Sequence, residues 1–199
     1  MTFEEKPFAP PPLSLDIQAN RRSRKWSPKE LLGRLLWETV QVPLFQWTPR
    51  QLWGIRNSVL RVFGATIGTH VQIHPTVRIA IPWNLTIEDN VAVGDCAVLY
   101  SLGKIRIGAR ACISQYAHIC AGTHDASLED MPLLKQPIDI GEGVWVCANA
   151  FVGPNTKIGD YAIVGACAVV MKDIPNGSKV VGNPGRIIGL RKKLDSNDQ

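Results

Sequence analysis

The chain has 199 residues, of which 45% are hydrophobic and 20% charged, a balance that excludes a disordered or collagen-like protein. Its net charge of +5 arises in residues 1–64, which carry ten Lys or Arg against five Asp or Glu; residues 65–199 carry twelve of each. A basic first third can meet nucleic acid, anionic lipid or an acidic partner. The neutral remainder argues against a nucleic-acid-binding core, so we expect no nucleic-acid partner.

Neither a membrane span nor a disulfide framework is expected. No run of eighteen apolar residues occurs, and the proline-rich start lacks the apolar region of a secretory signal. The odd number of cysteines and the lack of any Cys-x-x-Cys pair indicate free thiols in a reducing cytoplasm and no metal site. The five are Cys96, Cys112, Cys120, Cys147 and Cys167.

Residues 1–25 are predicted to form a flexible, basic and proline-rich tail. Three successive prolines at positions 10–12 favour a stiff, polyproline-like stretch. A basic cluster then follows at positions 21–25.

Residues 26–64 are predicted to form a helical hairpin. Ser27 and Glu30 flank Pro28 in a capping-box pattern, Thr48 and Pro49 begin a second start signal, and Gly64 supplies a stop. Each predicted helix carries an apolar stripe. The stripes consist of Leu31, Leu32, Leu35, Leu36 and Val40, and of Leu52, Ile55, Val59, Leu60 and Phe63.

From residue 65 the hydrophobic period changes to six. Aliphatic residues recur at this interval, and groups of three begin near residues 67, 87, 107, 140 and 158. A period of six fits neither a helix nor a plain strand and is typical of a parallel β-helix, in which short strands turn around a triangular prism. We therefore predict an all-β domain of about five coils over residues 65–185, followed by a C-terminal tail over residues 186–199.

The spacing of these coils predicts an inserted loop. Three hexads take 18 residues, whereas the starts are separated by 20, 20, 33 and 18 residues. The fifteen-residue excess in the third interval falls over residues 124–138. Because a long loop in a compact repeat is more often functional than accidental, we expect the site there.

Five segments resemble one known family. They lie at residues 63–68 (FGATIG), 82–84 (PWN), 123–125 (THD), 140–145 (IGEGVW) and 182–186 (GNPGR). Over residues 26–190 the chain is similar to the left-handed parallel β-helix acyltransferases, the hexapeptide-repeat family of galactoside, maltose and serine acetyltransferases. It most resembles the exopolysaccharide O-acetyltransferases of colanic-acid type. The resemblance implies acetyl-CoA as co-substrate and a homotrimer with sites between subunits.

His124 is the predicted general base. Acyl transfer from a thioester to a hydroxyl needs a base for the hydroxyl proton and donors for the oxyanion, which the backbone would supply. Histidine suits the first task because its pKa lies near neutrality, and the resemblance assigns it to His124. Asp125, or Glu129 or Asp130 in the same loop, is expected to orient the imidazole.

Further site residues are implied by the resemblance. The predicted acetyl-CoA contacts are Trp145, Ala148, Ala166, Met171, Lys172 and Arg186, with Arg186 suited to a phosphate. Asn84 and Asp95 are predicted to bind the acceptor, a sugar or lipid-linked oligosaccharide. His118 is expected to be a surface strand residue.

These features predict an O-acetyltransferase of exopolysaccharide or other surface glycan biosynthesis, and two alternatives stay open. One is a non-catalytic β-helix scaffold or binding protein. The other is a γ-type carbonic anhydrase, which needs three histidines around zinc; His74, His118 and His124 are the sensible trio.

The hairpin has two interpretations. Four of the six tryptophans, Trp26, Trp37, Trp47 and Trp53, accompany its basic excess. Its apolar face is expected to cover the open end of the β-helix. Aromatic and basic residues on amphipathic helices also favour peripheral contact with an anionic membrane, which would place the chain at the inner face of the membrane.

Overall fold

The computed structural model describes residues 15–192 and begins with helices. The helices are α1 (Ile17–Arg22), α2 (Pro28–Val40), a π-helix (Gln41–Gln46), α3 (Trp53–Val62) and a short 3-10 helix (Pro82–Asn84). Ser27 accepts a hydrogen bond from the Glu30 backbone and Glu30 returns one, so the predicted capping box at the start of α2 is present. Within the described range, no helix is long and apolar enough to cross a membrane.

The strands follow in five coils. Coil 1 contains β1 (Thr66–Ile67), β2 (Gln72–Ile73) and β3 (Arg78–Ile79); coil 2 contains β4 (Leu85–Ile87), β5 (Ala92–Val93) and β6 (Val98–Tyr100); coil 3 contains β7 (Ile105–Ile107), β8 (Cys112–Ile113) and β9 (His118–Cys120). The hairpin strands β10 (Thr123–His124) and β11 (Leu133–Leu134) come next. Coil 4 contains β12 (Ile138–Ile140), β13 (Trp145–Val146) and β14 (Phe151–Val152); coil 5 contains β15 (Thr156–Ile158), β16 (Ile163–Val164) and β17 (Val169–Val170); β18 (Ser178–Val181) and β19 (Arg186–Leu190) end the series.

Three parallel sheets form the faces of a prism. Face A is β1-β4-β7-β12-β15, face B is β2-β5-β8-β13-β16-β18, and face C is β3-β6-β9-β14-β17. The strand β19 adds to face B in antiparallel orientation. The predicted five-coil parallel β-helix is therefore confirmed.

The core consists of aliphatic columns that run along the prism. On face A the five predicted coil starts pair in register and are all buried: Ile67, Ile87, Ile107, Ile140 and Ile158. Ile113 stands in the equivalent column of face B, between Val93 and Val146. Each coil places the same hexad position inward, so the aliphatic residues that recur every six positions are the buried ones.

The helices cover the first coil. In the coils, backbone N–H groups donate to carbonyls of the following coil, as Gln72 N does to Val91 O. Among the described residues no coil precedes coil 1, so its carbonyls receive no hydrogen bond from a strand. Side chains of α2 and α3 donate to these carbonyls on all three faces. The bonds are Arg61 Nε to Ile67 O (3.1 Å), Asn57 Nδ2 to Val71 O (2.8 Å), Arg56 Nε to Ile73 O (2.9 Å) and Trp37 Nε1 to Ile79 O (2.7 Å).

The helical region differs from its prediction in two places. The leucine stripe of α2 was expected to pack on the coils, but Leu31, Leu32, Leu35 and Leu36 are 49–58% exposed. The opposite side of α2 is buried through Trp37, because its indole N–H reaches a free carbonyl. The helix α3 begins at Trp53 rather than after Thr48. The Arg56 side chain donates hydrogen bonds to the carbonyls of residues 48–50, and this keeps these residues in a loop.

Both predicted tails contain regular structure. Residues 17–22 of the N-terminal segment form α1, and residues 186–190 of the C-terminal segment form β19 on the edge of β18. Ala19 N of α1 donates to the Asp16 carboxylate, and β19 pairs along β18. The proline run at positions 10–12 and residues 193–199 lie outside the described residues.

Candidate active site

The inserted segment leaves face C after β9 and returns to face A at β12. Its first and last parts pair as an antiparallel ribbon, with His124 opposite Leu133 and Thr123 opposite Leu134. This segment, residues 123–137, is called the catalytic loop below because it carries the predicted base. The ribbon holds His124 at the base of the loop, exposed to solvent.

The His124 imidazole is held by a backbone carbonyl. Its Nδ1 lies 2.6 Å from Met131 O. Because a carbonyl oxygen only accepts hydrogen bonds, Nδ1 carries the proton in this contact, and Nε2 of the neutral ring keeps its lone pair. A base with its tautomer set in this way can accept a proton from a hydroxyl group.

Asp125 does not orient the imidazole, contrary to the prediction. Its Oδ1 accepts hydrogen bonds from Ser127 Oγ (2.5 Å) and Ser127 N (3.0 Å). These bonds lower the pKa of the Asp125 carboxyl. The carboxylate therefore closes a turn within the loop, as aspartate commonly does, and the Met131 carbonyl takes the orienting position.

A strap of residues 16–25 holds the catalytic loop from outside. Asn20 Nδ2 donates to both Asp130 O and Met131 O at 2.6 Å. Asp16 N donates to Glu129 O at 2.8 Å. Asn20 thus shares the Met131 carbonyl with His124, a contact that the sequence did not predict because a backbone acceptor leaves no residue-type pattern.

The turns between faces B and C, called corner BC, align one set of predicted site residues. Asp95, Ala148 and Ala166 occupy the same turn position in coils 2, 4 and 5, with Gln115 between them in coil 3. Successive corners are linked by backbone bonds from residue 116 to 95, from 149 to 115 and from 167 to 148. The predicted acceptor residue and two predicted acetyl-CoA residues therefore form one line along the prism axis.

Face B adds polar groups beside corner BC. Trp145, 45% exposed, donates from Nε1 to Ser114 Oγ at 2.9 Å. Asp95 accepts a short hydrogen bond from Thr76 and lies 3.1 Å from His74 Nδ1, and the Thr76 bond lowers the pKa of the Asp95 carboxyl. A groove of about 490 Å³ along face B is lined by His74, Asp95 and Ser114.

The turns from face C to the next face A, called corner CA, carry the other set. The catalytic loop belongs to this corner in coil 3, Asn84 lies there in coil 1, and Met171 and Lys172 lie there, exposed, in coil 5. Asn84 Nδ2 donates to Ser101 O and Leu102 O, each at 2.9 Å. Both N–H donors of the Asn84 amide are therefore bonded to coil 2. They are not available for the predicted hydrogen bond to a sugar. Arg186 is exposed at the start of β19.

One chain does not bring the two sets together. Corner BC carries Asp95, Ala148 and Ala166, corner CA carries the catalytic loop, and the strands of face C lie between the corners in every coil. Within one chain, a site that combines His124 with the residues of corner BC would have to reach across face C.

His118 is half-buried rather than at the surface. Its ring packs edgewise between Tyr100 and Phe151, and among the described residues Nε2 has no hydrogen-bond partner. Burial lowers the pKa of this imidazole. The trio of His74, His118 and His124 is divided among three elements, and in residues 15–192 no group of three or more His, Cys, Asp or Glu side chains is arranged to hold a metal ion.

Comparison with known proteins places the chain in a family. The family described as "Bacterial transferase hexapeptide (six repeats)" matches residues 137–172. The protein named "Putative colanic acid biosynthesis acetyltransferase WcaF" from Escherichia coli strain K12 is 43% identical over 160 residues, which cover 80% of this chain and 88% of that protein. The chain therefore belongs to the hexapeptide-repeat acetyltransferase family.

Solved structures agree with this assignment. A maltose O-acetyltransferase from Clostridium difficile 630 superposes with a TM-score of 0.76 at 25% identity, covering 84% of this chain and 90% of its own. A galactoside acetyltransferase in complex with coenzyme A superposes with a TM-score of 0.78 at 23% identity, covering 88% and 89%. The second likeness concerns the fold alone.

Proposed function

We propose that this protein transfers an acetyl group from acetyl-CoA to a hydroxyl group of a sugar during the biosynthesis of an exopolysaccharide or another surface glycan. The observation that carries this proposal is the contact between His124 Nδ1 and Met131 O, which leaves Nε2 as a base at the inserted loop. The name of the Escherichia coli relative supports the glycan, and the coenzyme A in the galactoside acetyltransferase structure supports the donor.

In the proposed reaction, the sugar hydroxyl oxygen attacks the thioester carbonyl carbon while His124 Nε2 takes the hydroxyl proton. Backbone N–H groups stabilise the oxyanion of the tetrahedral intermediate. The carbon–sulfur bond then breaks, and the imidazolium returns the proton to the thiolate of coenzyme A. Transfer would be direct, without an acyl-enzyme. Of the cysteines, Cys120 and Cys147 lie nearest the His124 and Trp145 motifs, and burial raises the pKa of both thiols, which disfavours the thiolate nucleophile.

The donor would lie along corner BC of one copy and react at His124 of its neighbour. Ala148 and Ala166 are small enough for the pantetheine arm to approach the backbone, and Trp145 lies beside them on face B. Met171 and Lys172 lie exposed on corner CA, so the neighbour that supplies His124 would also present them to the nucleotide end, where the exposed Arg186 suits a phosphate. Asp95 on corner BC would contact the acceptor. A homotrimer, which closes such contacts by threefold symmetry, satisfies this arrangement.

The primary experiment is acetyl-CoA turnover, measured as release of free coenzyme A across a panel of sugars and lipid-linked oligosaccharides. We expect His124→Ala to lose about a hundredfold or more in kcat while still binding acetyl-CoA. The matched control is His70→Asn, because His70 is an exposed histidine with φ of 53°, a conformation that asparagine tolerates. Equal rates for His124→Ala and the native enzyme would contradict the proposal, as would absence of acetyl-CoA binding.

Mixing two inactive variants tests the shared site. His124→Ala lacks the base, and Ala148→Trp blocks corner BC, so each alone is expected to be inactive. After denaturation and joint refolding at equal amounts, random trimers would contain about a quarter of sites with an intact histidine facing an intact corner. Recovery near that fraction supports the inter-subunit site, and no recovery means that both residues act within one copy or not at all.

A further inference from the structure

The outward side of α2 is a continuous row of leucines. At 100° per residue, Leu31, Leu32, Leu35 and Leu36 fall within an arc of about 140°. Each is 49–58% exposed to solvent. This is the stripe that sequence periodicity would place in a core, and the coils leave it in solvent.

The apolar surface extends from α2 onto the rest of the helical cap. A groove of about 730 Å³ between α2 and α3 is lined by Leu36, Val62, Phe63 and Trp83, and a second groove continues from Val62 to Leu44 and Ile55. Val62 is 84% exposed. The apolar cap face is defined as Leu31, Leu32, Leu35, Leu36, Leu44, Ile55 and Val62. Contiguous exposed apolar patches mark surfaces that bind a protein, a ligand or a membrane.

The segment that contains this face is strongly positive. Residues 15–64 contain nine Lys or Arg and three Asp or Glu. Within the described part of the chain only Arg34 of these nine cations belongs to an ion pair, and five side chains have no hydrogen-bond partner either: Arg21, Arg22, Arg24, Lys29 and Arg50. Lys29 lies at the rim of the larger groove. Trp47, 75% exposed in the same region, is a residue type that favours the boundary between lipid and water.

We infer that the apolar cap face docks on an anionic lipid surface, with the leucines in the acyl boundary and the unpaired cations against the headgroups. A second copy of this chain is the less suitable occupant, because an interface between copies would bring two basic caps together, whereas anionic headgroups neutralise them. The inference does not depend on the proposed acetyl transfer, since lipid binding is measured without any acceptor.

The experiment is co-sedimentation of the full chain with vesicles of phosphatidylglycerol and phosphatidylcholine in equal parts, compared with pure phosphatidylcholine. We expect binding to the anionic vesicles only, weakening as salt is raised. The variant Leu32→Gln with Leu35→Gln is expected to lose at least tenfold in partitioning, since removing about 1.4 kcal/mol of apolar transfer is enough for that change. The matched control is Ile188→Gln with Leu190→Gln, two exposed apolar residues of β19.

A charge variant tests the second half of the inference. Arg21→Gln, Arg22→Gln and Arg24→Gln together are expected to reduce binding to anionic vesicles while the far-ultraviolet circular dichroism stays unchanged. The inference is overturned if the native chain stays in the supernatant with anionic vesicles, or if the leucine variant binds as the native chain does. It is also overturned if the leucine variant changes the mass in solution without changing vesicle binding, because a second copy would then be the occupant.

Discussion

The coils and the segments attached to them are held by different kinds of bond. In the coils, backbone N–H groups and carbonyls of neighbouring strands pair with each other, and side chains fill the interior. The helical cap is fixed to coil 1 by side-chain donors such as Arg56 and Trp37 on backbone carbonyls. The catalytic loop is likewise fixed by Asn20 and His124 on the carbonyls of residues 130 and 131.

Because of this difference, substitutions in the coils and in the attached segments should have different effects. A backbone ladder tolerates changes of side chain as long as inward positions stay aliphatic, whereas an attachment by one side chain is lost with one substitution. Substitutions in the coils should therefore affect the whole chain together. Substitutions at the attachments should affect the cap or the loop and leave the coils in place.

The largest effect is expected for Ile113→Ala at the centre of face B. Ile113 is fully buried between Val93 and Val146, and truncating such a side chain costs about 4 kcal/mol through lost transfer energy and the remaining cavity. The midpoint of urea unfolding should move to a lower urea concentration, and by the same amount whether it is followed by circular dichroism or by tryptophan fluorescence. Ile188→Ala on exposed β19 is the control, and separate midpoints for the two probes would contradict a shared coil core.

Arg56→Met should release the cap before the coils unfold. The Arg56 guanidinium is buried and donates to Ile73 O, Thr48 Oγ1, Pro49 O and Arg50 O, so its loss leaves several acceptors unpaired at a cost of about 3 kcal/mol. Most tryptophans lie in or beside the cap, so the fluorescence midpoint in urea should fall further than the circular dichroism midpoint. Arg50→Met, at an exposed arginine, should leave both unchanged; a matching fall there would refute the specific role of Arg56.

The coils were predictable from sequence because their geometry repeats. A residue such as Ile107 is buried for the same reason as Ile67 and Ile140, so one period identifies the interior positions. The fifteen-residue excess in one interval likewise identifies the catalytic loop, because the repeat leaves no other place for those residues.

The attachments were not predictable in the same way. The leucine stripe of α2 is more apolar than the side that carries Trp37, yet Trp37 is the buried residue because its N–H satisfies an open carbonyl of coil 1. The orienting group of His124 is the carbonyl of Met131, and every residue has a carbonyl. Sequence patterns report side-chain type, so contacts to backbone acceptors become visible only in three dimensions.

Asn20→Ala should lower activity without affecting stability. Under the proposed mechanism Asn20 is a positioning residue: it holds the carbonyl that holds His124, and displacing the base would cost about tenfold in kcat. The KM for acetyl-CoA and the midpoint of urea unfolding should stay unchanged. Asn20→Asp keeps the shape but lacks the amide donors, so it should not restore the rate. Ser23→Ala, which removes only a bond to Asn20 O, is the control; full activity of Asn20→Ala would show that the ribbon alone positions the loop.

The smallest effect is a pH dependence from His118 in the coils. Burial between Tyr100 and Phe151 lowers the pKa of this imidazole below its ordinary value of 6.5. The unfolded chain then binds the proton more readily than the folded chain, so stability is complete above about pH 6.5 and falls as pH decreases below it. His118→Phe should lack this component, whereas His70→Asn should retain it, when urea midpoints at about pH 8 and pH 5.5 are compared. Equal pH dependence in the native chain and in His118→Phe would mean that the His118 ring is accessible to solvent. The side chains of face C would then pack less tightly than those of faces A and B.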